Sequence, residues 1–145
     1  MIINILDSEK NINKFNKNVK SGLWFVWYYA DWCGHCTSMQ EDWDQLLEIN
    51  NVNYSKINYT YLNKIKLKHQ PVHGYPTLRV YNDGKFLHEY NNEENGLRNI
   101  DNFKIYVNNY LPKLLKKHKI KKFKRKKSKK KSSKSKKSKK KHTKK

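Results

Sequence analysis

The chain has 145 residues, room for one domain with a modest core. Its 33 Lys and Arg against 12 Asp and Glu give a net charge of +21, and the excess is uneven. Residues 1–115 carry all the acids and a near-equal number of bases, while residues 116–145 carry twenty Lys and Arg and no acid. No run of eighteen apolar residues is present, which excludes a membrane-spanning helix, and two cysteines cannot build a disulfide framework.

The first residues, Met1 to Asp7, lack a basic start and an apolar core of leader length, so no secretory signal is expected. Ile2–Leu6 reads as a short strand. Ser8 to Val19 carries Ile12, Phe15 and Val19 at helical spacing, with Ser8 or Asp7 as cap. Leu23 to Tyr29 is seven apolar or aromatic residues in a row, the pattern of a central strand covered on both faces. From Cys33 to Ile49 the spacing is helical again, with Met39, Trp43, Leu46 and Leu47 on one side. Val52–Asn58 is a strand candidate and Tyr59–Lys68 a short helix ending before Pro71. Thr77–Tyr81 and Phe86–Tyr90 flank Asn82-Asp83-Gly84-Lys85, a hairpin signal. Phe103, Tyr106, Val107, Tyr110 and Leu111 mark a last amphipathic helix behind Asp101, with Pro112 as its end or kink. The order is β-α-β-α-β-α-β-β-α, an α/β fold with a central mixed sheet and helices on both faces. It assigns residues 1–115 to a folded domain. Residues 116–145, nearly all Lys and Ser, cannot bury enough surface to offset their ordering entropy and are expected to be a disordered basic tail.

The chemistry sits at Trp32-Cys33-Gly34-His35-Cys36, directly after the buried strand and at the start of a helix. Unpaired backbone N–H groups and the positive end of the helix dipole favour a thiolate there. Two intervening residues let both sulfurs reach disulfide distance across one turn. Cys33, nearest the exposed end, is the expected nucleophile. Cys36, one turn further in, is expected to be the more buried and to resolve the mixed disulfide. His35 can help hold negative charge on Cys33. Such chemistry needs no metal and no cofactor.

Tyr29-Ala30-Asp31-Trp32-Cys33-Gly34-His35-Cys36 resembles the active site of protein disulfide isomerases, within the thioredoxin superfamily. Gly74-Tyr75-Pro76-Thr77 resembles that family's cis-proline segment, and Gly96-Leu97-Arg98 a family Gly-x-Arg element. Trp43 matches the aromatic usual at its position. The resemblance implies a thioredoxin fold and a thiol–disulfide oxidoreductase working through Cys33 and Cys36, tuned by Trp32, Gly34 and His35. It implies that Pro76 lies against the cysteine pair, that Tyr75 hydrogen-bonds the substrate backbone, and that Trp32 offers an apolar contact to substrates. Partners would be protein thiols and disulfides and a redox partner such as a reductase, an oxidase or glutathione. The sequence also departs from the family. Trp27 stands where a buried acid normally serves the resolving thiol, Asp31 and Glu41 replace two prolines, and Thr37 replaces a basic residue. The missing acid is expected to slow deprotonation of Cys36.

Two other readings stand beside this one. Cys33 and Cys36 with His69 and His73 could bind zinc, although the gap between the pairs exceeds that of a compact finger and Pro71 divides the histidines. Alternatively, the chain is a polyanion-binding protein whose folded head keeps only vestigial redox activity. In either case Lys121, Lys122, Lys124, Arg125, Lys126, Lys127, Lys129, Lys130 and Lys131 are the candidate contacts to a polyanion, nucleic acid first, through counterion release. Without an apolar face or a lipidation site, stable membrane anchoring is not expected. The expected location is cytoplasm or nucleus. Abundant Asn, Lys, Ile and Tyr also resemble thioredoxin-domain proteins of giant DNA viruses, which implies packaging in a virion, but protists with A/T-rich genomes share that composition.

Overall fold

The computed structural model describes residues 1–68 and 70–141. It divides into two compact units, Met1–Val107 and Asn108–Lys145, so the split falls ahead of Leu115. The first unit holds β1 (Ile3–Leu6), α1 (Glu9–Asn18), β2 (Leu23–Tyr29), α2 (Gly34–Leu46) and β3 (Asn53–Asn58). After a 3-10 turn at Tyr59–Lys64 come β4 (Thr77–Asn82), β5 (Lys85–Glu89), the single turn α3 (Asn92–Asn95) and α4 (Ile100–Ile105). The turn Tyr106–Tyr110 is π-helical.

The five strands form one sheet in the order β1-β3-β2-β4-β5. β1 and β2 run parallel to β3, whereas β4 is antiparallel to both β2 and β5. The sheet is therefore mixed, as expected. The apolar run of β2 makes it the central strand. Its side chains alternate between faces because strand residues point up and down in turn. Trp24, Val26 and Tyr28 pack with Leu6, Ile12, Phe15 and Val19 on the α1 side, and Phe15 meets Trp24 edge-on at 5.6 Å. Phe25 and Trp27 face the other way, within 5.4 Å and 5.3 Å of the Trp43 ring on α2. Phe103 of α4 closes on Phe25 at 6.2 Å. Trp24, Phe25, Trp27 and Trp43 are thus core residues.

Local chemistry sets the element ends. The Ser8 hydroxyl caps α1 by accepting from the Asn11 N–H. β4 and β5 are joined by a two-residue turn, Asp83-Gly84, with both residues at positive φ, the backbone of a type I′ hairpin. The Asp83 side chain also accepts from the Gly22 N–H at 2.8 Å, tying the hairpin tip to the start of β2.

Three expectations change. Tyr59–Lys64 is a 3-10 turn rather than an α-helix, because Asn58 caps it through the Thr60 N–H and the segment leaves no residue fully buried to repay a longer helix. The final amphipathic segment is a short α-helix followed by the π turn, and Pro112 lies at the second position of α5 (Leu111–Lys141) rather than ending a helix. The helical turns run without a break from Ile100, so the N–H that Pro112 lacks would have bonded within the π turn, whose irregularity accommodates the proline. The stretch from residue 116, expected to be disordered, is helical through Lys141. Lysine loses little rotamer freedom in a helix, whereas the hydroxyls of Ser128, Ser132 and Ser133, which donate back to the carbonyls of Arg125, Lys129 and Lys130, add nothing to its stability. The nine basic residues from Lys121 to Lys131 named above are all exposed on α5. Residues 142–145 of the tail lie outside the described residues, as does His69.

Candidate active site

The helix α2 begins at the motif itself. Cys33 is its N-cap, in extended conformation, and the Cys33 sulfur takes the place of the usual capping oxygen by accepting the Cys36 N–H at 3.2 Å. Cys33 also anchors the turn through its carbonyl, which accepts from the Thr37 N–H and hydroxyl. Both cysteines are free thiols here, one helical turn apart and linked by that N–H to sulfur bond. Cys33 is 7% exposed and Cys36 4%. The order is the expected one, but accessibility alone hardly separates them. Their surroundings do. Burial, the neighbouring Cys33 thiol and its charge push the Cys36 thiol up to about 11, against smaller opposite pulls from the Ala30 backbone and the Trp27 side chain. Cys36 therefore waits as a protonated thiol.

The loop before α2 and the cis-proline segment come together around the pair. The Tyr75–Pro76 peptide is cis. Pro76 and His35 line one small hollow with Ser38, Met39, Asn92 and Arg98. Trp32 is 70% exposed, and its ring lies 5.8 Å from the Tyr75 ring. Tyr75 feels the charge of Cys36 among the influences that raise its own hydroxyl, after burial and Tyr59. Gly34 opens α2, and a Cβ there would meet nothing within 4 Å. Every residue of the CGHC motif, Trp32, Tyr75 and Pro76 thus falls in one neighbourhood. The basic residues of α5 belong to the other unit.

Gly96-Leu97-Arg98 joins the site as well. Gly96 sits at positive φ, and a Cβ on it would approach the Asn102 side chain to 2.7 Å, so only glycine fits the bend that leads to Arg98. The Tyr90 hydroxyl donates to the Asn95 carbonyl at 2.9 Å and pins that loop from below. Asp42 of α2 accepts the Ile100 N–H at 2.9 Å, binding α4 to the active-site helix.

Tyr59 is the residue that sequence reasoning missed. Its ring lies 5.9 Å from both Trp32 and Tyr75, so the three rings form a mutual cluster beside the cysteines. Asp31, which replaces a proline in the resembled pattern, explains the placement. Its carboxylate accepts from Asn58 Nδ2 at 3.0 Å, while Asn58 Oδ1 caps the turn that carries Tyr59. Only an Asp followed, 27 residues later, by Asn-Tyr hinted at this clasp, and no periodicity links the two.

The remaining sequence candidates also find their places. Trp27 occupies the expected acid position, fully buried under the sheet face that holds Trp43. Glu41 and Thr37 are exposed on α2. Of the zinc alternative, His69 lies outside the described residues. Among those described, no three His, Cys, Asp or Glu side chains converge as metal ligands would.

A thioredoxin family model matches residues 7–109. The chain is 32% identical over 105 residues to a thioredoxin domain-containing protein 5 homolog of Drosophila melanogaster, covering 68% of this chain and 24% of that protein. It is 30% identical over 106 residues to a thioredoxin domain-containing protein of Theileria parva, covering 70% and 47%. It is 32% identical over 101 residues to protein disulfide-isomerase 1 of Dictyostelium discoideum, covering 66% and 27%. The chain thus spans between about a quarter and a half of the length of these curated relatives. Among solved structures, oxidised thioredoxin from Plasmodium falciparum superposes with a TM-score of 0.56 at 18% identity, covering 74% of this chain and 97% of that one. The first two thioredoxin domains of Naumovozyma dairenensis Eps1p give 0.55 at 22% identity, covering 66% and 37%. These likenesses confirm the fold. With a mixed sheet of this order, a Cys-Gly-His-Cys turn capping its second helix and a family model spanning nearly the whole first unit, the chain belongs to the thioredoxin family.

Proposed function

We propose that the protein is a thiol–disulfide oxidoreductase that forms, reduces or exchanges disulfides in protein substrates. Cys33 attacks as thiolate and Cys36 resolves the mixed disulfide. Trp32, Tyr75 and Pro76 contact the substrate, and Gly34 and His35 shape the access to Cys33. The single observation that carries this reading is the pair itself: two free thiols one turn apart at a helix N-terminus, with the Cys36 N–H on the Cys33 sulfur at 3.2 Å. The positive end of the helix dipole and a ready N–H donor both favour charge on Cys33. The high Cys36 thiol keeps the second sulfur from competing for the first attack. The family matches support the reaction class, and a redox partner such as a reductase, an oxidase or glutathione would close the cycle.

The tail supports a second, separable reading, in which the exposed bases of α5 bind a polyanion such as nucleic acid. Twenty positive charges in residues 116–145 would give an affinity falling with log salt at about 0.7 to 0.9 per phosphate contacted. The location that suits both readings is cytoplasm, nucleus or a virion, where nucleic acid is within reach.

One experiment separates them. Insulin reduction and dithiol oxidation are measured for the full chain, for Cys33→Ser and for a chain ending at Leu115, together with DNA and RNA binding across salt concentrations. The oxidoreductase reading expects turnover lost in Cys33→Ser and kept after truncation. Negligible turnover throughout, with salt-sensitive binding lost on truncation, would leave only the polyanion-binding reading.

A further inference from the structure

Trp27 carries a polar atom with nowhere obvious to go. Its ring is fully buried, and its indole nitrogen makes no well-formed hydrogen bond among the described residues, meeting the Cys36 thiol only in a weak one. An unpaired buried N–H costs about 1–3 kcal/mol, so its persistence in a packed core asks for a reason. Through that contact the Trp27 side chain pulls the Cys36 thiol toward its ionised form, against the larger effect of burial.

A cation lies over the same ring. Lys56 Nζ stands 4.6 Å from the Trp27 ring centroid and 4.3 Å from that of Tyr29, and it donates to the Gln40 side chain. Both ring faces attract the ammonium form. Trp27, Lys56 and Cys36 line one cavity of about 170 Å³ together with Tyr29, Ala30, Asp31, Thr37 and Gln40, which is room for several water molecules. The charged and titratable groups around the resolving thiol are therefore Cys33 at the helix cap, Lys56 on β3, Asp31 and Tyr29 on the cavity wall, and Tyr75 on the cis-proline segment. Burial pulls the Lys56 amine down, while Asp44, Cys36 and Asp31 act to keep it charged.

We infer that the Trp27 indole N–H and the Lys56 ammonium together form an anion-stabilising pocket for the Cys36 thiolate, replacing the buried acid that this position lacks. The inference rests on the oxidoreductase reading and specifies how its second step proceeds. Cys33 is then bonded to the substrate sulfur. The Cys36 S–H gives its proton to water in the cavity, and the thiolate forms beside the indole N–H and the ammonium already held there. Its electron pair attacks the Cys33 sulfur, the Cys33–substrate bond breaks, and the substrate sulfur leaves with that bond's electrons and takes a proton from solvent. Two electrons pass from the cysteine pair to the substrate disulfide. Lys56 serves as a fixed charge rather than as the proton acceptor, because two aromatic faces and a Gln40 acceptor all favour its protonated form.

The test uses the full chain and its Lys56→Met, Lys56→Arg and Trp27→Phe variants. Cys36 is titrated by the pH dependence of its Cβ chemical shift in the reduced protein. Release of a chromogenic aromatic thiol from its mixed disulfide with Cys33 is followed across pH. The pocket predicts that Lys56→Met and Trp27→Phe raise the Cys36 midpoint and slow release at neutral pH by about threefold for each unit gained, since the scarcer thiolate is also the stronger nucleophile. Lys56→Arg, which keeps the charge, should leave both the midpoint and the release rate of the parent unmoved. An unmoved midpoint and release rate in Lys56→Met would overturn the pocket, and so would an Arg variant no better than Met. Lys56 is only half-buried, so its variants decide the matter even if Trp27→Phe fails to fold. If no mixed disulfide forms in the parent, the oxidoreductase reading falls, and the Cys36 titration still judges the pocket.

Discussion

The backbone N–H of Cys36 points at the sulfur of Cys33 from 3.2 Å. This one bond makes the first cysteine the cap of the helix that carries the second. The geometry sets the two thiols apart: the Cys33 sulfur sits at the helix end and accepts that N–H, while burial keeps the Cys36 thiol protonated.

That inequality can be trapped. Cys36→Ser should attack a protein disulfide and stop as a mixed disulfide stable for hours, whereas Cys33→Ser should form none. Non-reducing gels with the substrate protein check it. A trapped adduct on Cys36 in the Cys33→Ser chain would reverse the assignment.

Stability of the reduced protein should fall in alkaline solution. Because burial raises the Cys36 thiol from its ordinary value of 9.0 to about 11, the unfolded chain releases its proton at lower pH than the folded one. The contribution is fully present below about pH 9 and is lost as pH rises toward about 11. The tyrosines raised by burial, Tyr90 among them at about 12, add a loss of the same sign at higher pH. Thermal melts of reduced parent and Cys36→Ser, compared from pH 8 to 11, isolate the cysteine. The parent should lose more melting temperature than the variant.

Arg79 is the polar strut of the cis-proline segment. It is 5% exposed and donates to Glu89 at 2.7 Å, to the Gln70 carbonyl at 2.6 Å and to the Pro71 carbonyl at 3.1 Å. It thereby ties the loop leading to Pro76 onto β4 and β5. Arg79→Met leaves two carbonyls and a carboxylate without their donor and should cost about 2–4 kcal/mol in chemical denaturation. Lysine, with no planar fork to span three acceptors, should restore only part of it.

The Trp32, Tyr59 and Tyr75 rings predict a preference in the substrate. Exposed aromatic area next to the nucleophile should favour cysteines flanked by apolar or aromatic residues. Tyr59→Ala should raise the KM for such peptides severalfold and leave the reaction with a small disulfide such as oxidised glutathione unchanged. Asn58→Ala should act in the same direction, because it removes the cap of the turn that holds Tyr59 in place. Equal losses for both substrates would mean that the rings serve only packing.

Much of the domain is legible in the residues. The seven-residue apolar run of β2, the Asp-Gly turn and the Ser8 cap each act over a few positions, so their signal is local and survives in the chain order. The cysteine motif is legible for the same reason, since a helix start and a two-residue gap are local geometry. Tyr59 was illegible because its partners are 27 and 16 residues away, joined through an Asp–Asn hydrogen bond that leaves no pattern. The 3-10 turn and the helical course of α5 were misjudged because propensity, capping and charge repulsion compete there at similar strength.

From composition and spacing alone follow an alternating α/β chain, a dithiol at a helix start and a strongly cationic end, because each depends on neighbours in sequence. Which groups surround each sulfur was decided only when β2, β3, α2 and the cis-proline segment packed together. Burial and electrostatic attraction depend on distance through space, and the order of residues along a chain does not contain it.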